Sequence, residues 1–278
     1  MIICIASGKG GTGKTTVATN LAVSLGDPVQ LLDCDVEQPN AHLFLKPEIT
    51  HTEKVTTPVP EVDLDKCDYC GKCGEICQFS AITVIADYVL TFPELCHSCK
   101  GCMMVCPHEA ISEKPRELGI LEKGTSDSVE FVHGRLRISE AMSPPLIERV
   151  KEQIDLGKTA IIDAPPGTSC PVISTMKDSD FVVLVTEPTP FGLNDLKLAV
   201  GAVRILGVPM GIVINRCDAG DDCVTRYAAA EGIPVMMEIP DDRKIAEAYS
   251  RGVMMVDAFP DMKEKFQNLY GKIRQSVE

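Results

Sequence analysis

The chain is organised around the stretch Ser7-Gly8-Lys9-Gly10-Gly11-Thr12-Gly13-Lys14-Thr15-Thr16 near its N-terminus. An apolar run, residues 2–6, precedes this stretch, and apolar residues at helical spacing follow it from position 17. The predicted order is a buried strand, a glycine-rich turn and a helix. In that context the pattern G-x-x-x-x-G-K-[ST] indicates a phosphate-binding loop.

The residue types of this loop suit a nucleotide with Mg²⁺. Glycines let backbone N–H groups converge on phosphate oxygens, and the helix N-terminus adds its positive dipole end. We expect Lys14 to neutralise the β- and γ-phosphates and the Thr15 hydroxyl to ligate Mg²⁺. The other residues expected to bind the nucleotide in this loop are Gly8, Gly10, Gly11, Thr12, Gly13 and Thr16.

The loop carries a second lysine, Lys9, directly after its first glycine. The pattern Lys9-Gly10-Gly11-Thr12-Gly13-Lys14-Thr15 resembles the deviant Walker A motif of the MinD/ParA/nitrogenase-iron-protein family. This resemblance implies an ATP-dependent homodimer in which Lys9 reaches the partner's nucleotide. A second ammonium near the γ-phosphate would stabilise charge that develops during transfer, so Lys9 and Lys14 are candidate catalytic residues.

A second predicted strand, residues 28–32, ends in two carboxylates two residues apart, Asp33 and Asp35. A carboxylate at the carboxyl end of a parallel strand lies at the ligand crevice of an open α/β sheet. The pattern D-x-D-x-x-x-P-N resembles switch I of the same family. That resemblance implies that Asp35 positions or activates the attacking water and that Asp33 supports Mg²⁺.

Two later regions complete the predicted nucleotide site. The apolar run 159–162 ends in Asp163, the Walker B arrangement that places a carboxylate at Mg²⁺. The following Asp-x-Pro-Pro-Gly-Thr resembles switch II, in which the Gly167 N–H would contact the γ-phosphate. The resemblance also implies adenine contacts from Asn215 and from the loop that contains Pro240 and Asp242.

The thirteen cysteines include eight in a duplicated pattern. Cys67-x-x-Cys70-x-x-Cys73-x-x-x-Cys77 recurs 29 positions later as Cys96-x-x-Cys99-x-x-Cys102-x-x-x-Cys106. Three cysteines at two-residue gaps can ligate one [4Fe–4S] cluster, while the fourth ligates the other cluster. The predicted ligand sets are therefore Cys67, Cys70, Cys73 and Cys106 for one cluster, and Cys96, Cys99, Cys102 and Cys77 for the other.

This cysteine module resembles a bacterial two-cluster ferredoxin. It departs from that pattern at Gln78, where the other half has Pro107. Zinc is the alternative, but zinc sites usually take two C-x-x-C pairs and not eight cysteines in this register. The predicted cofactors are therefore ATP, Mg²⁺ and two [4Fe–4S] clusters.

Composition limits the partners. The formal net charge of −13 argues against non-specific nucleic-acid binding and against an anionic membrane surface. No apolar run approaches the roughly 18 residues of a membrane span, and the N-terminus lacks the basic region of a signal peptide. Cysteines without a secretory signal point to metal chemistry in the cytoplasm. The apolar positions of residues 262–273 predict a docking helix and no stable membrane anchor.

The predicted fold is an α/β P-loop domain with a mostly parallel sheet, into which a small α+β two-cluster ferredoxin domain is inserted. The P-loop domain takes residues 1–58 and 119–278, and the insertion takes residues 59–118. Prolines and threonines in residues 46–62 predict a linker between them. In the alternating segment 118–140, His133-Gly134 predicts a hairpin turn.

The sequence predicts an ATP-hydrolysing iron–sulfur protein that couples nucleotide-dependent dimerisation to electron transfer or to cluster assembly. Its partner would be a redox protein or an apo-metalloprotein. Beyond Cys106 no C-x-x-C occurs, so the bridging-cluster motif of Mrp-type cluster carriers is absent. The alternative is a MinD-like positioning protein in which ATP switches dimerisation and the clusters are structural or sensory.

Overall fold

The computed structural model describes residues 1–26 and 28–278. The chain divides into two compact units. The first unit contains Met1–Glu53, Leu121–Arg135 and Leu146–Glu278, and the second contains Lys54–Ile120 and Leu136–Pro145. The insertion predicted at 59–118 falls within the second unit. Residues 54–58, 119–120 and 136–145, which the sequence predicts to belong to the P-loop domain, also group with the second unit.

The strands of the described chain form one large and one small sheet. They are β1 Ile2–Ala6, β2 Val29–Asp33, β3 Glu48–Val62, β4 Ile82–Ile85, β5 Tyr88–Thr91, β6 Ile111–Ser126, β7 Val129–Leu136, β8 Thr159–Asp163, β9 Phe181–Thr186, β10 Met210–Asn215 and β11 Val235–Ile239. The large sheet has the order β11-β10-β9-β1-β8-β2-β7-β6-β3, while β4 and β5 pair antiparallel. Every pairing from β11 to β7 is parallel, which confirms the predicted mostly parallel α/β sheet.

The helices connect these strands. They are α1 Lys14–Ser24, α2 Ala41–Leu45, α3 Lys72–Ile76, α4 Gly101–Met104, α5 Pro144–Lys151, α6 Cys170–Met176, α7 Pro190–Leu206, α8 Cys223–Glu231, α9 Arg243–Ser250, α10 Met255–Ala258 and α11 Pro260–Val277, with a 3-10 turn at Pro93–Leu95. Parallel strands need crossover connections of this kind, and helices that cover a parallel sheet bury its strands. The central strands are accordingly apolar throughout rather than alternating.

The C-terminal helix α11 packs against α1 and contributes to the core of the first unit. Its apolar side chains Met262, Phe266 and Leu269 are buried. The Tyr270 hydroxyl lies 2.8 Å from the Thr159 Oγ1 atom. The apolar face predicted for residues 262–273 therefore packs inside the unit.

No helix within the described ranges combines the length and the apolarity that crossing a bilayer requires.

The predicted linker at 46–62 is wrong, because β3 occupies most of it. Pro58 and Pro60 suggested a break in regular structure, but β3 is the outermost strand of the large sheet. An edge strand tolerates proline, since one side of it has no neighbouring strand that needs its N–H groups.

The predicted hairpin turn at His133-Gly134 is also wrong, because both residues lie inside β7. The turn between β6 and β7 falls earlier, where Asp127 adopts a positive φ of 49°. Gly134 serves close packing instead. A Cβ atom there would lie 2.8 Å from a Val36 methyl carbon and 2.9 Å from the Leu146 Cγ atom.

Candidate functional site

The glycine-rich loop joins β1 to α1 and opens onto a cleft in the first unit. Gly11 and Gly13 have positive φ values of 79° and 96°, a conformation that glycine adopts without strain. Gly8 is required for another reason, since a Cβ atom there would lie 2.1 Å from the Asp195 carbonyl oxygen. Lys14, the first residue of α1, is buried.

The cleft has a volume of about 1230 Å³, including its solvent-open part, and brings together ten of the predicted nucleotide-site residues. These are Gly10, Gly11, Gly13, Lys14, Thr15, Thr16, Asp35, Asn215, Pro240 and Asp242. Gly8, Lys9, Thr12, Asp33, Asp163 and Gly167 are not among its lining residues. The cleft is large enough for a nucleotide and has phosphate-binding and base-side residues on its walls.

Asp163 lies at the end of β8 and is fully buried. Neither of its carboxylate oxygens meets hydrogen-bond geometry with a donor within the described residues, although the Thr15 hydroxyl lies near enough to lower its pKa. Burial raises the pKa of this carboxyl to about 7, while the Lys14 ammonium lowers it. An unpartnered buried carboxylate is costly, so a cation is the group that this position fits.

Asp33 neighbours Asp163 in the sheet but makes different contacts. Its Oδ1 atom accepts a hydrogen bond from the Asp35 N–H at 3.1 Å, and its Oδ2 atom accepts from Asn40 and Ala41 at 3.0 Å each. Burial and the Asp163 charge raise the pKa of Asp33. Asp33 thus fixes the loop that carries Asp35.

Asp35 lies on the cleft wall together with Lys14 and Thr15. Burial raises the pKa of its carboxyl, and the Lys14 ammonium opposes that shift. The backbone carbonyl of Asp35 accepts a hydrogen bond from the Gln38 N–H at 3.0 Å, which closes a turn in the loop. The carboxylate is therefore placed near the loop lysine on a fixed backbone.

Lys9 contacts the same chain in this structure. Its ammonium forms an ion pair with Glu187, at a position just after β9. The second oxygen of Glu187 lies 3.4 Å from Arg216 Nη1, and Arg216 lines the cleft. Lys9 is thus held intramolecularly by a carboxylate that it shares with a cleft residue.

Two further predicted residues contact the loop through hydrogen bonds. The Gly167 N–H donates to the Ser7 carbonyl oxygen at 3.0 Å, and Gly167 has a positive φ of 101°. The Asn215 side-chain amide donates to the Thr12 carbonyl oxygen at 2.9 Å. The ends of β8 and β10 are therefore connected to the phosphate-binding loop.

The eight duplicated cysteines surround two cavities in the second unit. The first cavity is lined by Cys67, Cys70, Cys73 and Cys106, which we call the first cluster site. The second is lined by Cys77, Cys96, Cys99 and Cys102, which we call the second cluster site. Each site combines three cysteines of one half with the fourth cysteine of the other half.

The duplication extends to the backbone. Left-handed φ values recur 29 positions apart, at Tyr69 and Ser98 (58° and 55°) and at Ser80 and Glu109 (53° and 47°). The N–H groups of Ala81 and Ala110 each donate to the sulfur four residues earlier at 3.3 Å. Gly71 and Lys100 precede equivalent helices, α3 and α4, and both are left-handed.

The electrostatics around Cys77 favour a thiolate. Burial raises the pKa of its thiol, but nearby backbone N–H groups, including those of Phe79 and Ala81, outweigh burial and lower it overall. N–H groups that point at a sulfur stabilise its negative charge. Thiolates are the form that ligates iron.

No three His, Cys, Asp or Glu side chains in the described ranges converge as a single metal ion would require. A zinc site needs sulfurs about 2.3 Å from one central point. The cysteines instead line cavities of about 350 and 480 Å³, solvent-open parts included. Four sulfurs around a cavity fit a polynuclear cluster better than one ion.

Sequence reasoning missed several residues that the structure places at these sites. Glu187 has a signal in the sequence, since it is a carboxylate directly after a buried strand. Arg216 follows β10 and has the strained φ of 52°. Ser98 and His108 lie beside cluster-site cysteines, but their contacts depend on how the two halves pack, which spacing does not reveal.

The parallel sheet, the loop and the cleft define a P-loop nucleotide-binding protein. Residues 3–256 match the family model described as the CobQ/CobB/MinD/ParA nucleotide binding domain, and the chain belongs to that family. The predicted P-loop family membership is thereby confirmed.

Two curated relatives and one solved structure illustrate this membership. An uncharacterized protein of Methanocaldococcus jannaschii is 31% identical over 282 residues, which cover 100% of this chain and 98% of the relative. The iron-sulfur cluster carrier protein of Aquifex aeolicus is 27% identical over 297 residues, covering 100% of this chain and 68% of the relative. The septum site-determining protein MinD complexed with Mg-ADP from Pyrococcus horikoshii OT3 has a TM-score of 0.59 at 22% identity, covering 98% and 95% of the two chains, and shows the shared fold.

Proposed function

We propose that this chain is an ATP-binding and ATP-hydrolysing iron–sulfur protein. It couples nucleotide-dependent homodimerisation to electron transfer, or to iron–sulfur or metal-cluster assembly, on a partner protein. The observation that carries the proposal is the grouping of eight cysteines around two cavities in a chain that also holds a P-loop site. Its partner is a redox protein or an apo-metalloprotein.

In the nucleotide site, Lys14 and the backbone N–H groups of the loop bind the phosphates. Asp163 and Thr15 would hold Mg²⁺, which supplies positive charge at the phosphates. The two unpartnered oxygens of Asp163 support this assignment. Asp33 acts through its hydrogen bonds to the Asp35 loop, and Asp35 accepts a hydrogen bond from the attacking water.

Two residues, Lys9 and Gly167, link nucleotide binding to dimerisation in this proposal. In an ATP-bound dimer, Lys9 leaves Glu187 and contacts the partner's nucleotide. The Gly167 N–H leaves the Ser7 carbonyl oxygen and donates to the γ-phosphate. Both groups exchange a contact within the chain for one with the nucleotide, so hydrolysis reverses both changes.

The cysteines of the two cluster sites would hold two [4Fe–4S] clusters. Their thiol donors, the three-plus-one grouping and the N–H groups directed at sulfur fit that cofactor. Such a cluster accepts and returns one electron when bound. The relative whose name is iron-sulfur cluster carrier protein supports the assembly version of the proposal.

The test is anaerobic purification of the full chain, followed by iron and sulfide analysis. We expect eight iron and eight sulfide per chain, the content of two such clusters. Electron transfer from the reduced protein to an acceptor is then compared with ATP, with ADP and without nucleotide. Equal rates in all three would overturn the coupling, and two zinc ions with no iron would overturn the clusters.

A MinD-like positioning function is the second candidate. The similarity to the fold of MinD over 98% of this chain favours it. In that case ATP switches dimerisation and the clusters are structural or sensory. Replacing all eight ligand cysteines by serine separates the two functions, since a positioning protein would keep its cellular distribution and its partner.

A further inference from the structure

The two cluster sites are related by duplication, yet the side chains that cover them differ. Asp68 in the first half corresponds to His97 in the second, and Phe79 corresponds to His108, each 29 positions apart. Each site is covered by one such residue from each half. The covering pairs are Asp68 with His108 at the first site and Phe79 with His97 at the second.

At the first cluster site the covering pair is polar and wet. The His108 Nε2 atom lies 2.9 Å from the Asp68 Oδ2 atom, and both side chains are 48% exposed. Exposed pairs of this kind contribute little to stability because solvent screens them, so this pair opens easily. Water and small chelators can therefore reach the first site through this pair.

At the second cluster site the covering pair is aromatic. The Phe79 and His97 rings stack with centroids 3.5 Å apart and planes 10° apart. The stacked rings place apolar area over the cavity, and each ring also has an exposed side, with Phe79 42% exposed. Backbone N–H groups donate to two sulfurs of this site, those of Cys77 and Cys96, at 3.3 and 3.4 Å, and to the Cys106 sulfur of the first site at 3.3 Å.

The second cluster site is also anchored to β3 by a side chain. The Ser98 hydroxyl lies 2.6 Å from the Thr57 Oγ1 atom and donates to the Pro58 carbonyl oxygen at 2.7 Å. Thr57 is buried. Tyr69 occupies the equivalent position of the first site, and its side chain has no hydrogen bond in the described part of the chain. Only one of the two ligand loops is therefore tied to the sheet in this way.

We propose that the two sites differ in lability: the first cluster site exchanges its cluster, and the second retains it. This inference rests on the proposed function, because it requires that both sites bind clusters. A cluster leaves when its ligand loop opens and solvent enters. The polar cover and the untied loop lower both barriers at the first site, whereas the stacked rings and the Ser98 anchor raise them at the second.

The test begins with the full chain carrying two clusters under anaerobic conditions. Excess EDTA is added, and the loss of cluster absorbance is followed in time. Samples are treated with iodoacetamide at intervals, and the modified cysteines are identified by mass spectrometry. We expect two phases of equal amplitude, with Cys67, Cys70, Cys73 and Cys106 modified in the first phase.

Two variants address the anchor. Ser98→Ala removes two hydrogen bonds that hold the second site and Thr57→Val removes one, so in each variant the slow phase accelerates roughly 5- to 10-fold and the fast phase is unchanged. Ser112→Ala is the matched control, because the Ser112 side chain is exposed and its hydroxyl makes only a long 3.5 Å contact. An unchanged slow phase in both anchor variants would contradict the proposal.

The remaining outcomes distinguish a wrong order of cluster loss from a failure of the chain to bind clusters. A single phase, or earlier modification of Cys96, Cys99 and Cys102, shows that clusters bind but that the assigned order is wrong. A chain that binds no iron loses the proposed function and this inference together. Hydrogen exchange of the metal-free protein gives an independent measure, in which residues 96–99 exchange more slowly than 67–70; the reverse order overturns the anchor.

Discussion

The Lys9 ammonium is ion-paired with the Glu187 carboxylate of the same chain. Glu187 is mostly buried, and its other oxygen faces Arg216 at 3.4 Å. The family resemblance implies that Lys9 contacts the partner's nucleotide, whereas in this structure Lys9 is ion-paired within its own chain. In the proposed ATP-bound dimer, Glu187 would therefore compete with the partner's nucleotide for the Lys9 ammonium.

Removing this competition is expected to favour the dimer. Glu187→Gln leaves the shape but deletes the charge, so Lys9 is released at lower cost. We expect ATP-dependent dimerisation with a dissociation constant lowered by roughly 3- to 10-fold, the effect of a partly buried ion pair. Sedimentation velocity with a non-hydrolysable ATP analogue measures it, with exposed Glu264→Gln as the control. A weaker dimer would contradict the competition.

Alanine substitutions of the two loop lysines are expected to affect nucleotide binding and hydrolysis differently. Lys14 is buried in the loop and is the residue proposed to bind the phosphates, so Lys14→Ala is expected to lose nucleotide binding and hydrolysis. Lys9→Ala retains binding by the monomer but loses hydrolysis, by about 100-fold or more if its charge acts in transfer. Fluorescent-nucleotide titration and phosphate release separate the two. Equal loss of binding in both variants would mean that Lys9 binds the nucleotide of its own chain.

Asp35 is expected to serve hydrolysis and not binding. Asp35→Ala abolishes turnover because the attacking water loses its acceptor, while the phosphate contacts of Lys14 remain. ATP should therefore be bound and the dimer trapped. Phosphate release and size-exclusion chromatography with ATP check both parts. Unchanged turnover would refute the assignment of Asp35 as the water-positioning group.

Asp163 and Asp33 are expected to respond oppositely to loss of the carboxylate. In metal-free protein, Asp163→Asn removes a buried charge whose burial cost outweighs its attraction to Lys14, so the fold is stabilised by about 1–3 kcal/mol. Asp33→Ala, the contrasting variant, leaves three backbone N–H groups without their acceptor and destabilises the fold. Urea denaturation with EDTA measures both. Asp163→Asn should also lose the extra thermal stability that Mg²⁺ adds to the nucleotide complex.

His133 is expected to make stability fall at mildly acidic pH. Burial lowers the pKa of this histidine, although Glu122 at 2.9 Å opposes the shift; His42 and Arg135 lower it further. The unfolded chain then binds the proton more tightly, so stability is full above the ordinary pKa and is lost as pH falls below about 6.5.

The measurement is urea denaturation between pH 7.5 and 5.5. Wild type should lose more stability than His133→Gln over that interval, because only wild type carries the imidazole whose pKa is lowered by folding. Exposed His51→Gln is the control and should follow wild type. Parallel curves for wild type and His133→Gln would mean that His133 does not titrate in this range.

Local patterns in the sequence predict the phosphate-binding loop and the grouping of cysteines well, because both depend on spacing along the chain. The strand before Ser7 and the helix from Lys14 lie where the apolar periodicity places them. The failures at 46–62 and at His133-Gly134 share a cause. In both cases the sequence pattern predicts a break in regular structure at proline or glycine. An edge strand accommodates the prolines of β3, and close packing against neighbouring side chains requires the glycine within β7.

Contacts between distant segments could not be predicted in this way. Glu187 meets Lys9 across 178 positions, and Ser98 meets Thr57 across 41. Asp33 was assigned to Mg²⁺ from its motif, but its oxygens are directed at backbone N–H groups of its own loop. Which donor or cation a carboxylate contacts depends on the tertiary fold, not on the strand that it ends.

The outer position of β3 also bears on how the protein behaves at high concentration. An unpaired strand edge can recruit the edge of another chain and begin fibrous aggregation. Pro58 and Pro60 lack the N–H donors that such pairing needs, and Glu53 and Lys54 add charge beside them. Replacing the two prolines by threonine would therefore leave a continuous ladder of donors, and overexpressed protein would shift into inclusion bodies.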